Sequence, residues 1–315
     1  MNLNRRSFFK IAGAAGAVAL GPARTAGASA DDGALTSGAW AAESVLNAGR
    51  RGVLVDATKC IGCRACEAAC SEANALQGPA MLDDAAVFAK PRTMDTQTYT
   101  VVNRAVTASG TAPARFVKRQ CMHCVEPACA SACLARALDK TPTGPVVYHK
   151  NRCLGCRYCM VACPFNVPQY EYESPLPYVR KCTFCADRQA TGLDPACTSV
   201  CPTGALTFGI REELLERARE RLYAKGSPYV RRIYGEHEVG GTSWMYITDI
   251  PFEKLGLPAT LGTYAYSSLT QASLAAVPFV LTLWPPLLMG IYSFSKRRND
   301  IEAHGTDRQE EAHHE

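Results

Sequence analysis

Cys153-Leu-Gly-Cys156-Arg-Tyr-Cys159-Met-Val-Ala-Cys163-Pro164 is the stretch that decides how this chain folds. Its spacing, C-x2-C-x2-C-x3-C-P, is that of the bacterial ferredoxin run. There, three thiolates turn around the corners of one 4Fe-4S cube and the fourth points away to a neighbouring cluster. Working outward from it, the same short steps recur. Cys60, Cys63, Cys66 and Cys70 form one quartet, Cys121, Cys124, Cys129 and Cys133 a second, and Cys182, Cys185, Cys197 and Cys201 a fourth. The chain has 16 cysteines, and the four quartets use them all. Sixteen thiolates suffice for four 4Fe-4S clusters. The first quartet keeps the spacing but lacks the proline, the second has four residues before Cys129, and the fourth has eleven before Cys197. Proline limits the exit direction of the chain and is not a ligand, so its absence reads as a local packing change.

Two other chemistries use cysteines in even numbers. Zinc takes four-cysteine sites with short C-x2-C spacings, but a zinc ribbon needs two pairs and has no use for the third evenly spaced cysteine of the first and third quartets. A non-redox zinc scaffold is therefore the alternative of a different class. Disulfide frameworks occur in exported chains, yet the C-x-x-C step suits a metal better.

The N-terminus points to export. Asn4-Arg5-Arg6-Ser7-Phe8-Phe9-Lys10 resembles the twin-arginine signal, an apolar stretch from Ile11 to Leu20 is too short to span a bilayer, and Ala28-Ser29-Ala30 offers an A-x-A cleavage site. Residues 1–30 are thus a signal peptide of the route that carries folded, cofactor-loaded proteins. At the other end no charge occurs between Lys254 and Lys296, and residues 274–294 are apolar enough to cross a core of about 30 Å as a helix. Lys296, Arg297 and Arg298 follow at once, so the positive-inside rule puts residues 296–315 in the cytoplasm and the body on the periplasmic side. Pro278, Pro285 and Pro286 favour a span with helical neighbours. Beyond Asn299 the polar tail, with His304, His313 and His314, reads as disordered.

The formal net charge of +5 counts cysteines as neutral. Four oxidised clusters of roughly −2 each would reverse it, so the basic balance gives no support to a nucleic-acid partner. Lys118, Arg119, Arg152, Arg157, Arg180, Lys181 and Arg188 stand beside the ligands in sequence, where positive charge favours a reduced, more negative cluster. His123 lies between two ligands, as a packed or exposed side chain or as a donor to a cluster sulfur. Residues 71–117 form a long insertion, with a strand expected at Tyr99 to Val102 and a break at Gly110-Thr-Ala-Pro113. Further strands are expected at 145–148 and 205–208. The apolar positions Ile210, Leu214, Leu215, Ala218 and Leu222 mark an amphipathic helix from 210 to 225, its apolar face toward the cluster module.

Taken with Lys118-Arg-Gln-Cys-Met-His-Cys124, Cys156-Arg-Tyr-Cys-Met-Val-Ala-Cys-Pro164 and Tyr234-Gly-Glu-His-Glu-Val-Gly-Gly-Thr-Ser-Trp244, the cysteine pattern resembles the four-cluster ferredoxin-type iron-sulfur subunits of membrane-bound respiratory oxidoreductases. The twin-arginine start with a single C-terminal anchor is most similar to those that serve periplasmic nickel-iron hydrogenases. The resemblance implies an α+β fold of two nested ferredoxin-like dicluster modules with loop insertions, plus one C-terminal transmembrane helix. The cluster module would occupy residues 51–209, and an extension residues 210–268. It implies four ligand sets: Cys60, Cys63, Cys66 and Cys201; Cys70, Cys182, Cys185 and Cys197; Cys121, Cys124, Cys129 and Cys163; Cys133, Cys153, Cys156 and Cys159. Spacing alone leaves the pairing of neighbouring quartets equally open. In some relatives an aromatic residue at the place of Cys156 gives a 3Fe-4S centre; with the cysteine present, all four are expected as 4Fe-4S.

No Walker loop, dinucleotide fingerprint, haem-attachment site or nucleophile motif accompanies the cysteines. The chain is therefore expected to be a non-catalytic electron-transfer subunit. Its partners would be catalytic hydrogenase subunits and a quinone-reactive integral membrane subunit. The alternative gives the same role to a molybdopterin enzyme such as a formate dehydrogenase or a polysulfide-type reductase.

Overall fold

The computed structural model describes residues 49–79, 82, 84–105 and 114–311. The signal-like segment, the break at 110–113, His313 and His314 lie outside the described residues. In chain order the elements are β1 (Arg51–Asp56), α1 (Ala65–Ala73), β2 (Val101–Arg104), β3 (Phe116–Arg119), α2 (Ala128–Ser131), β4 (Leu138–Lys140), β5 (Val146–Tyr148), α3 (Tyr158–Ala162), β6 (Gln169–Tyr170), β7 (Val179–Arg180), α4 (Ala186–Ala190), α5 (Ala196–Ser199), β8 (Leu206–Ile210), α6 (Arg211–Tyr223), β9 (Trp244–Ile247) and α7 (Tyr266–Glu311).

Strand β1 is the centre of the outer layer. Its Val53-Leu54-Val55 run is buried throughout, as befits a strand covered on both faces. It pairs antiparallel with β8 and parallel with β9, giving the order β8-β1-β9. Alternation then separates two cores. Val53, Val55, Leu206, Trp244 and Tyr246 pack with the cysteines, while Leu54, Met245 and Ile247 face Leu214, Leu215, Ala218 and Leu222 of α6. The amphipathic helix is therefore present at 211–223, but it covers the side of the sheet away from the cysteines. Ile210 is the last residue of β8 and is exposed, so it is not part of the helical stripe. Glu212 and Glu213 in the first turn and Arg221 in the last suit the helix dipole.

The elements that flank the cysteines pair across the chain. β1 enters the first quartet and β8 leaves the fourth, and the two strands pair; α1 of the first quartet packs on α5 of the fourth. Within them, α2 of the second quartet packs on α3 of the third, and the intervening β4 and β5 form an antiparallel pair. The strand expected at Tyr99 to Val102 forms two residues later as β2 and pairs with β3, so the ends of the insertion return to one place. The expected strands at 145–148 and 205–208 are β5 and β8.

Helix α7 is 46 residues long and continues through Pro278, Pro285 and Pro286. Its segment Tyr266–Ile301 is the one described helix long and apolar enough to cross a membrane. It starts beside α2, where the Ser267 hydroxyl donates to Glu126 at 3.3 Å. The tail expected without order after Asn299 is helical as far as Glu311. Extending an existing helix adds one bond per residue without a new nucleus, and the Glu, Ala, Arg and Gln residues there favour it.

Candidate metal centres

The first C-x-x-C step of each quartet turns through a left-handed residue just before its second cysteine: Gly62 (φ 75), His123 (φ 47), Gly155 (φ 69) and Phe184 (φ 55). In two of the quartets the left-handed residue's own N–H points back at the first sulfur: Gly155 N–H donates to Cys153 Sγ at 3.4 Å and Phe184 N–H to Cys182 Sγ at 3.4 Å. Outside these turns, Ala137 N–H donates to Cys133 Sγ at 3.1 Å. At His123 and Phe184 no glycine relieves the geometry, which costs about 1–3 kcal/mol each and is tolerated chiefly where function demands it. Gly62 faces a second constraint, because a Cβ there would lie 2.7 Å from the Phe116 ring.

The sixteen cysteines are free, and they assemble across the chain into four groups. Cys60, Cys63, Cys66 and Cys201 line one cavity together with Lys118. Cys70 lies near Cys197 and Cys185, and Cys182 near Cys70 and Cys197. Cys124 stands among Cys121, Cys129 and Cys163, and Cys159 among Cys133, Cys153 and Cys156. The groups also lie within electrostatic reach of one another in succession: Cys66 of the first senses Cys197 of the second, Cys182 of the second senses Cys121 of the third, and Cys129 of the third senses Cys159 of the fourth. Cys63 and Cys156 are the exposed cysteines, one in the first group and one in the last.

Burial, and then the neighbouring sulfurs, push these thiols up: Cys70 to about 12 and Cys159 to about 11, with Cys124 and Cys182 well above the ordinary range. Left alone they would be inert protonated thiols; a bound metal is what ionises such a ligand outright. Among the described residues no group of three or more His, Cys, Asp and Glu side chains is gathered tightly enough for a single metal ion. A cluster of four irons spreads its ligands farther apart than one ion does.

The polar groups between the cysteines complete the fit. His123 is fully buried. Its Nδ1 accepts from Val146 N–H at 2.9 Å, so the proton sits on Nε2, which is buried without a hydrogen-bond partner. Burial, with Lys181, Lys140 and Lys118 nearby, holds its pKa well below the usual value and keeps the ring neutral. Of the basic residues singled out beside ligands in the sequence, Lys118 and Lys181 are buried, whereas Arg152 and Arg157 are exposed. Lys181 Nζ donates to the Cys182 carbonyl at 2.9 Å. For Lys118, burial acts to lower the pKa, but the sulfurs of Cys197, Cys66, Cys182 and Cys70, as the thiolates a cluster requires, outweigh it and raise it. Sequence reasoning gave no place to Glu67, whose carboxylate clamps the first cysteine helix. Its ion pair starts from Arg64, the left-handed residue that precedes the helix.

The 4Fe-4S dicluster domain family matches residues 113–211, which hold the second, third and fourth quartets. A protein of Nitratidesulfovibrio vulgaris Hildenborough is 48% identical over 254 residues, 80% of this chain and 68% of that protein. Hydrogenase-2 operon protein HybA of Escherichia coli O157:H7 is 38% identical over 243 residues, 67% of this chain and 73% of its own length. This chain belongs to the family of ferredoxin-type iron-sulfur subunits. The family extends to the iron-sulfur subunit of the nitrate-inducible formate dehydrogenase of Escherichia coli K12, 36% identical over 240 residues, 73% of this chain and 80% of that subunit. The subunit's cysteines therefore serve 4Fe-4S clusters in electron transfer, and the zinc scaffold is set aside.

Proposed function

We propose that this iron-sulfur subunit holds four 4Fe-4S clusters and relays electrons between a periplasmic nickel-iron hydrogenase and a quinone-reactive integral membrane subunit. The ligand sets are Cys60, Cys63, Cys66 and Cys201; Cys70, Cys182, Cys185 and Cys197; Cys121, Cys124, Cys129 and Cys163; and Cys133, Cys153, Cys156 and Cys159. The observation that carries the reading is the succession of these groups, each within electrostatic reach of the next, with one exposed cysteine at either end. A bound cluster supplies one-electron chemistry at each station. The chain's own residues fix the thiolates, direct N–H groups at the sulfurs, and shield the middle stations from water. With every cysteine committed to a cluster, none is left for an open substrate-binding metal, so the subunit moves electrons without transforming a molecule.

The anchor and the export signal support a location on the periplasmic side of the membrane. α7 would cross the membrane with Lys296, Arg297 and Arg298 on the cytoplasmic side. Its start packs beside α2, which carries Cys129, and this supports an order in which the third and fourth sets lie toward the bilayer and the first toward the catalytic subunits. The hydrogenase assignment rests on the twin-arginine start. The broader overlap with the formate dehydrogenase subunit, 73% of this chain, favours a second reading in which the partner is a molybdopterin enzyme. Mass identification of the co-purified subunits decides: nickel with hydrogenase subunits supports the first reading, and molybdenum supports the second.

Two outcomes test the remainder. Anaerobically purified protein is expected to hold about sixteen irons per chain, and Cys156→Ala to convert one centre to a 3Fe-4S type by paramagnetic resonance while the others persist. Zinc with negligible iron would defeat the assignment. Arg5→Lys combined with Arg6→Lys is expected to leave cluster-loaded protein in the cytoplasm, because the export machinery reads the pair directly. Fractionation that finds the double variant in the periplasm would contradict the route.

A further inference from the structure

A buried ammonium needs an anion, and Lys118 has no carboxylate beside it. The residue is 2% exposed. Its Nζ donates to Gln120 Oε1 at 3.0 Å and stands 4.6 Å from the centre of the Trp244 ring. Gln120 Nε2 donates onward to the Tyr246 hydroxyl at 2.8 Å, and that hydroxyl donates to the Lys118 carbonyl at 3.0 Å. The closed network fixes the lysine, and each of these partners is neutral. None of the ion pairs among the described residues includes it.

A lone charge in such a place is costly unless something opposite offsets it. What does face the ammonium is sulfur. Lys118 lines the cavity of Cys60, Cys63, Cys66 and Cys201, and the sulfurs of Cys70, Cys182 and Cys197 of the second group, thiolates once a cluster is held, are also within its electrostatic reach. It thus stands between the first and second groups. Arg152 and Arg157 are just as close to ligands in sequence, but they are exposed, and water screens them.

We propose that Lys118 is a positioning charge that sets the potentials of the first two clusters, its fixed ammonium stabilising the electron that passes between the first and second sets. The inference rests on the ligand sets proposed above. The step moves one electron and no proton: the acceptor side gains what the donor side loses, and Lys118 keeps its proton throughout. Net charge near a cluster is one of the levers on its potential, and a low-dielectric interior gives a fixed charge its greatest effect.

The test is a potentiometric titration, followed by paramagnetic resonance, of the anaerobically purified complex carrying Lys118→Met or Lys118→Arg. Iron content is measured first; a parent protein without about sixteen irons would overturn the ligand sets rather than the role of the lysine. With iron retained, the methionine variant is expected to lower two of the four one-electron midpoints by at least tenfold in the reduced-to-oxidised ratio, about 59 mV. The arginine variant is expected to restore most of that shift, and the other two midpoints to stay in place. Unchanged midpoints, or an equal shift in all four, would overturn the proposal. If the methionine variant loses iron, Lys118→Gln removes the charge while keeping a donor for Gln120, and the same two shifts are expected. Iron loss in both would overturn it in favour of a purely structural lysine.

Discussion

Glu67→Ala is expected to cost the fold about 3–5 kcal/mol, the range for breaking a buried ion pair from one side. Glu67 lies on α1 between Cys66 and Cys70, and 3% of it is exposed. One carboxylate oxygen accepts from Arg64 Nε at 3.2 Å and from Arg92 Nη1 at 3.2 Å. The other accepts from Val102 N–H at 2.6 Å and pairs with Arg92 Nη2. Arg92 in turn donates to the Val102 carbonyl at 3.0 Å, and its backbone is tied to Asn103. A single buried carboxylate therefore joins the helix carrying Cys66 and Cys70 to the insertion that covers it. Removing it takes a counter-charge from two guanidinium groups and a partner from a strand N–H, and an alanine replaces none of these. For a domain of this size the loss corresponds to a fall of about 6–20 °C in the apparent unfolding temperature. Iron should leave the first and second sets before the others. Glu67→Gln, which keeps an acceptor for Val102 N–H, is expected to fall between the parent and the alanine variant. Thermal unfolding followed by cluster absorbance measures all three, and an alanine variant within about 2 °C of the parent would show that the clamp is dispensable.

That clamp illustrates what could be read in the sequence and what could not. The iron-sulfur character of the chain was legible because the ligand pattern is local: three thiolates around one cube need only a few residues between them, and Cys153 to Cys163 states the rule in one stretch. The helix at 211–223 was legible for the same reason, its period being visible in Leu214, Leu215, Ala218 and Leu222. Which surface it covers was not. That depends on the sheet, and β1 finds its partners β8 and β9 more than a hundred residues away. No local signal announces that Val53 and Val55 turn toward the cysteines while Leu54 turns toward the helix. The nesting of quartets came from family resemblance, since pairing neighbouring quartets meets the same ligand count. Its physical correlates are the packing of α1 on α5 and of α2 on α3. Lys118 was one of seven basic residues beside ligands, and only burial sets it apart from Arg152 and Arg157. Strain was equally hidden. Nothing in the letters of His123 or Phe184 declares a left-handed backbone, yet both occupy the position that Gly62 and Gly155 hold in the other quartets. Set side by side, the four steps show one turn made with two glycines and two larger residues.

Cutting the chain before Leu274 is expected to separate two activities that the full complex joins. The truncation spares all sixteen cysteines and keeps the start of α7, including the contact of Ser267 with Glu126. It removes most of Tyr266–Ile301, the candidate span, whose most apolar window is not buried by the rest of the subunit. Cluster content and attachment to the catalytic subunits should therefore persist. The missing helix is apolar around its circumference and carries Pro278, Pro285 and Pro286, whose absent N–H groups free carbonyls that a neighbouring helix or ordered water can satisfy. Such a helix is a poor solitary span and a good member of a bundle. If it seats the subunit on a quinone-reactive membrane partner, hydrogen-dependent reduction of an artificial dye should be unchanged, because dye takes electrons without a quinone site. Quinone reduction should fall at least tenfold, as the last cluster loses its fixed distance from its acceptor. Unchanged quinone reduction would show that the cluster body docks without the helix. Equal loss of both activities, with iron also lost, would place the defect in folding, since an intact relay must still deliver electrons to the dye.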